Sequence, residues 1–151
     1  LEGNLLSPDY PGGVHWLPND SRLLINGREG LGIITIAGEQ ITHIADSFAE
    51  AWTWSHDGRR LAYSLRREET GVDAPVVVYE IKHGENQIIG VIPQANYVKL
   101  LRWSNDDSRV IIGLDREDRE EIWVVDAQLN STAELLLENA LLIEVVPYLA
   151  P

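Results

Sequence analysis

The stretch Asp115-Arg116-Glu117-Asp118 brings several carboxylates together within this 151-residue chain. Clustered carboxylate oxygens are the ligands that Ca²⁺ takes in proteins, so a cation site is the first chemistry to consider. The stretch lacks the alternating Asp/Asn spacing and the glycine of a calcium loop. Its arginine also competes for the same carboxylates. We therefore predict no metal site here.

No other pattern in the chain indicates catalysis or a cofactor. The chain has no cysteine, which excludes thiolate nucleophiles, zinc–thiolate sites and disulfides. Its four histidines are scattered without metal-like spacing and lie beside no nucleophile motif. Gly27, Gly30 and Gly32 make a glycine-rich turn, but no helix pattern follows it as a dinucleotide fingerprint requires. We predict a non-catalytic protein with no cofactor and no metal.

The charge balance limits the partners of the chain. Twelve basic residues stand against 24 acidic ones, for a formal charge of −12. Nucleic acid and anionic lipid are poor partners, because phosphate binding needs clustered Lys and Arg. No apolar run approaches the 18 residues of a membrane span, so we predict no membrane insertion. A basic protein surface suits this charge better, although the charge also serves solubility.

A tryptophan hairpin recurs three times along the chain. Its tryptophans are 38 and 49 residues apart: Trp16, Trp54 and Trp103. Each is followed by a polar turn, Asp57-Gly58 in the second copy, and then by an arginine that opens an apolar run. These arginines are Arg22, Arg60 and Arg109. We predict structural roles for both sets: the tryptophans pack between units, and each arginine pairs with an acid or carbonyl near its own hairpin.

The apolar runs after each hairpin predict β-strands. β-branched residues dominate them, as in Val76-Val77-Val78-Tyr79, and their continuity indicates strands covered on both faces. Four strands per unit of roughly 40 residues predict an all-β fold of three propeller blades. The blades span residues 14–46, 51–92 and 98–137, within a single segment that includes the whole chain. A β-sandwich explains the repeated hairpin less well. Residues 131–139 have helical propensity, yet their place in the repeat predicts a strand.

Both ends of the chain predict partial strands. Residues 2–6 match residues 85–89, which form the fourth strand of a unit, and residues 142–146 lie where a further unit would begin. An open stack of blades exposes sheet edges. We therefore expect additional blades in a longer parent chain, or two copies that associate to close a ring. A short open stack is the third alternative.

The hairpin Trp54–Tyr63, followed by Val76–Tyr79, resembles the blades of the TolB-type, WD-repeat-like propeller family. Those blades carry a Trp-Ser-Pro-Asp-Gly turn and an Ile-Trp/Tyr-Val-x-Asp strand, which Ile122–Asp126 matches. His56 departs from the pattern by replacing the proline, and Asp107 replaces the glycine. The resemblance covers most of the chain and implies a propeller that acts as a docking platform, a sensor domain or a peptidase gate. It also favours a bacterial periplasmic or extracytoplasmic location.

The loops that differ between blades are the better place to look for function. In a propeller, the loops joining the second and third strands share a face with the blade-to-blade connections. Acids outnumber arginines in these loops, so we predict a net negative face that contacts a protein partner or ligand; the alternative is a solvated rim. The candidate contact residues are Glu68, Glu69, Asp73, Asp115, Glu117, Asp118 and Glu120.

Two other functions stay open at this point. The chain could be an accessory or gating segment of a larger hydrolase whose catalytic domain lies outside it. It could also be a small-ligand or sugar-binding propeller. Fold alone does not choose among these functions.

Overall fold

The computed structural model describes residues 13–18, 21–37, 41–69, 71–116 and 118–138. These residues form twelve β-strands and no helix. The strands pair into three four-stranded antiparallel sheets, each ordered as the chain runs. The predicted all-β class with three such units is confirmed. The partial strands predicted at residues 2–6 and 142–146 lie outside the described residues.

Each sheet is one meander of four strands. The first contains β1 (Gly13–Trp16), β2 (Arg22–Gly27), β3 (Gly30–Thr35) and β4 (Ile41–Ala45). The second contains β5 (Ala49–Trp54), β6 (Arg60–Leu65), β7 (Val72–Glu80) and β8 (Glu85–Ala95). The third contains β9 (Tyr97–Trp103), β10 (Arg109–Asp115), β11 (Glu120–Asp126) and β12 (Glu134–Glu138). We call these sheets blades 1, 2 and 3. The segment with helical propensity near residue 135 is thus the strand β12, as predicted.

The repeated hairpin turn has the same construction in blades 2 and 3. Ser55 donates its hydroxyl to Asp57 at 2.6 Å, and its amide donates to the Arg60 carbonyl at 2.9 Å. Gly58 closes the turn with a φ of 68°, a conformation that glycine adopts without steric cost. In blade 3 Asp107 takes that place with a φ of 54°. Aspartate tolerates this region better than most residues, because its short side chain bonds to nearby backbone.

The apolar cores lie between the blades. Leu24, Leu31, Leu61 and Tyr63 belong to one buried cluster, which joins blades 1 and 2. A second cluster joins blades 2 and 3 and contains, among others, Ile89, Leu101, Ile112 and Leu114. Blade 2 therefore has a core on each face. This arrangement explains why β7 is a continuous apolar run, with Val76, Val77, Val78 and Tyr79 all buried.

Trp103 and Arg60 join blade 2 to blade 3. The indole N–H of Trp103 donates to the Thr53 carbonyl at 3.2 Å, and the Arg60 guanidinium lies 4.6 Å from the centre of the Trp103 ring. Arg60 also donates to the Asp107 carbonyl at 2.7 Å. The expectation that this arginine bonds near its own hairpin is therefore wrong. Its partners lie in the next blade, because blade stacking brings the two hairpins side by side.

The other repeated residues behave differently from Trp103 and Arg60. Trp16 is 62% exposed rather than packed between blades. Trp54 is half-buried, and its indole nitrogen has no hydrogen-bond partner within the described residues. Arg109 pairs with Asp126 of its own blade at 3.0 Å, with both side chains 58% exposed. Arg22 opens β2 opposite Thr35 of β3. One repeated sequence position thus has different surroundings in each blade.

Candidate functional site: the loop face

One end of the blade stack gathers the loops that differ most between blades. It consists of the β2–β3, β6–β7 and β10–β11 loops with the two blade-to-blade connections, residues 46–48 and Asn96. Antiparallel meanders place these segments on one side and the repeated hairpin turns on the other. We call this side the loop face. Six of the seven predicted contact residues belong to it or to the strand ends beside it, and the seventh, Glu117, lies outside the described residues.

A polar pocket of about 370 Å³ opens on the loop face at the junction of blades 1 and 2. We call it the junction pocket. Its lining residues come from three loops: Arg28, Ser47, Phe48, Arg66, Arg67 and Glu68. Arg28 and Glu68 are both exposed. The structure gives neither side chain a hydrogen bond or ion pair within the part of the chain that it describes.

A buried ion pair supports the base of this pocket. Arg67 lies 3.1 Å from Glu50, and the two side chains are only 13% and 3% exposed. Arg67 also donates to the carbonyls of Val72 at 2.8 Å and Ala95 at 3.0 Å. Burial raises the pKa of Glu50, and the Arg67 charge and the Val98 amide oppose that rise. These bonds hold the β6–β7 loop against the blade 2–blade 3 connection.

The acids of the β10–β11 loop are largely neutralised by neighbouring cations. Lys99 lies 3.0 Å from Asp115 and 2.6 Å from Glu120. Hydrogen bonds to Glu120 and Asp115 raise the pKa of Lys99. Asp118 pairs with Arg119 at 3.2 Å. This part of the predicted acidic surface therefore carries less uncompensated charge than the sequence suggests.

Glu121 organises the same loop and was not among the predicted site residues. Its side chain is 2% exposed and lies 2.7 Å from Arg116 Nε and 2.8 Å from Arg119 Nε. The Trp123 indole N–H donates to it at 2.8 Å. Burial raises the pKa of Glu121, but Arg116, Trp123 and Arg119 outweigh burial and bring the pKa below its ordinary 4.5. In the sequence, only the alternation of side chains along β11 indicated that Glu121 is buried, because it places Glu121 on the same face as buried Val125.

Glu68, Glu69 and Asp73 remain on the open part of the loop face. All three are exposed. Asp73 accepts a hydrogen bond from the Gln94 amide at 3.1 Å, whereas Glu68 and Glu69 bond to nothing within the described residues. Glu29, in the β2–β3 loop, is likewise exposed and unpaired there. The free acids therefore concentrate at the junction of blades 1 and 2.

A second cleft, of about 510 Å³, lies between β8 of blade 2 and, in blade 3, Trp123 of β11 with the β11–β12 connection. Ile88, Val91 and Trp123 contribute apolar surface, and Ser131 and Thr132 contribute polar groups. The amide of Ser131 donates to the Ile89 carbonyl at 2.8 Å, which ties the cleft wall to β8. Hydrophobic side chains at its mouth are partly exposed, with Ile88 at 46%.

The described residues contain no group of three or more His, Asp or Glu side chains placed to hold a metal ion. The pKa of Asp106 falls to about 2, because the Ser104 and Ser108 hydroxyls donate to it. Those bonds build a hairpin turn rather than a metal site. No helix in the described part of the chain has the length and apolar character needed to cross a membrane.

Comparison with known proteins shows the fold. No family model matches the sequence, and no curated protein matches it either. Hydrazine synthase of Kuenenia stuttgartiensis is similar in structure, with a TM-score of 0.64, 13% identity, and coverage of 82% of this chain and 41% of that one. Oligogalacturonate lyase of Vibrio parahaemolyticus has a TM-score of 0.62 and 18% identity, over 83% of this chain and 36% of that one.

The β-propeller domain of Swd1 from Myceliophteria thermophila is similar as well. Its TM-score is 0.56 at 14% identity, over 82% of this chain and 38% of that one. This chain thus spans about two fifths of the length of each neighbour. At such identities the likeness shows the fold, which hosts enzymes and interaction modules alike. The resemblance of the repeated hairpin to TolB-type, WD-repeat-like blades agrees with these structural comparisons. The fold of this chain is that of a β-propeller.

Proposed function

We propose that the chain is a non-catalytic binding module whose loop face contacts a basic surface of a protein partner. The observation that carries the proposal is the group of free acids at the junction of blades 1 and 2. Glu29, Glu68 and Glu69 are exposed and unpaired within the described residues, so their charge is available to a partner. Complementary charge of this kind steers association and sets specificity.

The proposal changes the emphasis within the acidic face. Asp115, Asp118 and Glu120 already have cationic partners at 3.2 Å or less. A partner that used them would first have to compete with those ion pairs, which lowers the gain in free energy. We therefore place the main contact at the junction of blades 1 and 2, with the β10–β11 loop as its border.

Binding to a cationic model peptide tests this proposal. The probe is a fluorescein-labelled peptide of alternating lysine and serine, titrated by fluorescence anisotropy at low and moderate salt. We expect the double variant Glu29→Lys/Glu69→Lys to bind about tenfold more weakly than the original protein, since two attractive contacts become repulsive. The effect should shrink with added salt.

The matched control is the double variant Glu85→Lys/Glu134→Lys. Both residues are exposed and unpaired within the described residues, and both lie on outer strands away from the blade 1–blade 2 loops. The control changes the net charge by the same amount. If both double variants weaken binding equally, net charge alone attracts the peptide, and the loop face is not the docking surface.

Catalysis is the second candidate function. Two of the structural neighbours, the synthase and the lyase, carry the names of enzymes. The accessory role in a larger hydrolase, whose catalytic domain would lie outside this chain, is a separate candidate. The chain spans less than half of each of these neighbours. The junction pocket favours the remaining alternative, a site for a small ligand.

A further inference from the structure

We propose that the junction pocket binds a small zwitterion, with its carboxylate toward the arginines and its ammonium toward Glu68. A free α-amino acid has this chemistry. The proposal does not depend on the proposed protein partner, since it concerns a different ligand. The two proposals share Glu68, which the variants of the peptide experiment leave unchanged.

The pocket presents opposite charges that do not neutralise each other. Arg28 and Glu68 both line it, and neither has a partner within the described residues. Surface charges so placed normally pair with each other or stay in bulk water. Here they line one pocket and form no ion pair with each other. A ligand with one charge of each sign satisfies both at once, whereas a simple anion would meet Glu68 as a like charge.

The arginines suit a carboxylate in particular. Arg28 faces the pocket from the β2–β3 loop and has no partner within the described residues. Arg66 and Arg67 add positive charge from the β6–β7 loop. The Arg67 fork already bonds Glu50 and backbone carbonyls, so Arg28 is the arginine that contacts the carboxylate. A guanidinium presents a planar fork of donors that matches the two oxygens of a carboxylate. The Ser47 hydroxyl, also in the lining, can donate one further hydrogen bond. The chain as a whole is acidic, so this concentration of arginines departs from its general charge.

The walls are held in place before any ligand arrives. The Arg66 amide donates to the Phe48 carbonyl at 2.8 Å, which joins the β6–β7 loop to the blade 1–blade 2 connection. The Asn26 side chain accepts from the Ala49 amide at 2.9 Å and donates to its carbonyl at 2.8 Å. The buried Arg67–Glu50 pair fixes the other side. A preorganised site of this kind loses little entropy when a ligand binds.

The size of the pocket matches a small ligand. Small-molecule sites usually enclose about 300–1,000 Å³, and the junction pocket encloses about 370 Å³. An amino acid with a few ordered waters fits this volume, whereas a folded segment of a partner does not. Phe48, which is 8% exposed, adds a small apolar edge.

Isothermal titration calorimetry of the full chain tests the proposal. Glycine, L-leucine, L-glutamate and L-lysine are titrated separately, each up to about 10 mM, a range that detects millimolar dissociation constants. The best ligand is then compared with its amide, which lacks the carboxylate, and with its N-acetyl form, which lacks the ammonium. We expect at least one amino acid to bind, and both derivatives to bind about tenfold more weakly.

Variants connect the binding to the pocket. Arg28→Gln and Glu68→Gln should each weaken binding of the best ligand about tenfold, while circular dichroism shows an unchanged fold. Glu69→Gln is the matched control, because Glu69 is the exposed neighbour of Glu68 but does not line the pocket; binding should stay within about twofold.

Three results would overturn the proposal. They are no binding by any of the four amino acids, equal binding by the N-acetyl form, and equal loss in the Glu69→Gln control. The cationic-peptide experiment uses Glu29 and Glu69, so either hypothesis can fail while the other stands.

Discussion

Replacing Glu121 with glutamine tests how the β10–β11 loop is held. The substitution keeps the shape of the side chain but removes the charge that faces two arginines. Arg116 is 14% exposed and lies 2.7 Å from the carboxylate; Arg119 is 35% exposed and lies 2.8 Å away. Glutamine keeps one oxygen that can accept the Trp123 hydrogen bond. The variant therefore isolates the two ion pairs.

The expected loss in the free energy of unfolding is about 2–3 kcal/mol. Breaking a buried ion pair usually costs about 3–5 kcal/mol, because the remaining charge stays desolvated. Arg119 can turn toward water, and Arg116 keeps its bond to the Pro93 carbonyl at 3.0 Å, so we place the loss below that range. In a domain of this size it corresponds to a fall in melting temperature of about 5–10 °C.

Urea unfolding followed by tryptophan fluorescence measures this loss. Glu120→Gln is the control, because Glu120 pairs with the partly exposed Lys99 near the surface, and such pairs contribute about 0–1 kcal/mol. A Glu121→Gln loss no larger than that of Glu120→Gln would refute the role given to Glu121.

The loss should also depend on pH. The arginines hold the pKa of Glu121 below its ordinary 4.5 despite burial. A depressed carboxyl pKa stabilises the folded state above the unfolded pKa, and this contribution is lost as pH falls through the folded pKa. The original protein and Glu121→Gln should therefore differ most near neutral pH, and the difference should shrink as the pH falls below 4.5 and through the folded pKa. A difference that stays constant throughout acid unfolding would contradict the assignment.

Two further substitutions test the blade construction. Gly30→Ala should destabilise the fold by about 3 kcal/mol or more in the same urea assay, because its φ is 124° and an added Cβ would lie 2.1 Å from the Ala45 carbonyl oxygen. Gly71→Asn, where φ is 71° and an added Cβ would lie 3.9 Å from Asn96 Oδ1, should cost less than about 1 kcal/mol. Similar losses for the two variants would refute the steric reasoning. Arg60→Lys should lower the free energy of unfolding by about 1–2 kcal/mol, because lysine lacks the fork that stacks on Trp103 and bonds the Asp107 carbonyl. Arg59→Lys is the control, since Arg59 is exposed. An effect of Arg60→Lys no larger than that of the control would show that this contact between blades contributes little.

The sequence predicted the architecture well because strand patterns and turns are local. The Asp57-Gly58 turn needs a positive φ at one position, and glycine supplies it. The continuous run Val76–Tyr79 needs cover on both faces, and two neighbouring blades provide it. The strand at β12 was predicted against its helical propensity, because the repeat requires a fourth strand there. The first two inferences used residues within one unit of the repeat, and the third used the comparison between units.

The charged contacts could not be predicted in the same way. Glu121 and Arg116 are near in sequence, and the alternation of β11 places Glu121 on the buried face. Nothing local, however, shows that Arg116 and Arg119 both pair with Glu121. Arg60 and Asp107 lie 47 residues apart, and stacking alone brings them together. The sequence does not distinguish the acids of the loop face from one another. In the structure, only those that form no ion pair within the described residues keep their charge available.

The sequence by itself thus determined the strands, the turns and the threefold repeat, since these follow from backbone preferences and side-chain alternation over a few residues. Tertiary structure decided which charges pair, which are buried, and that Arg28 and Glu68 face one pocket without pairing. The physical reason is distance: an ion pair depends on a few ångströms between atoms of different loops, and those positions are set only when the blades stack.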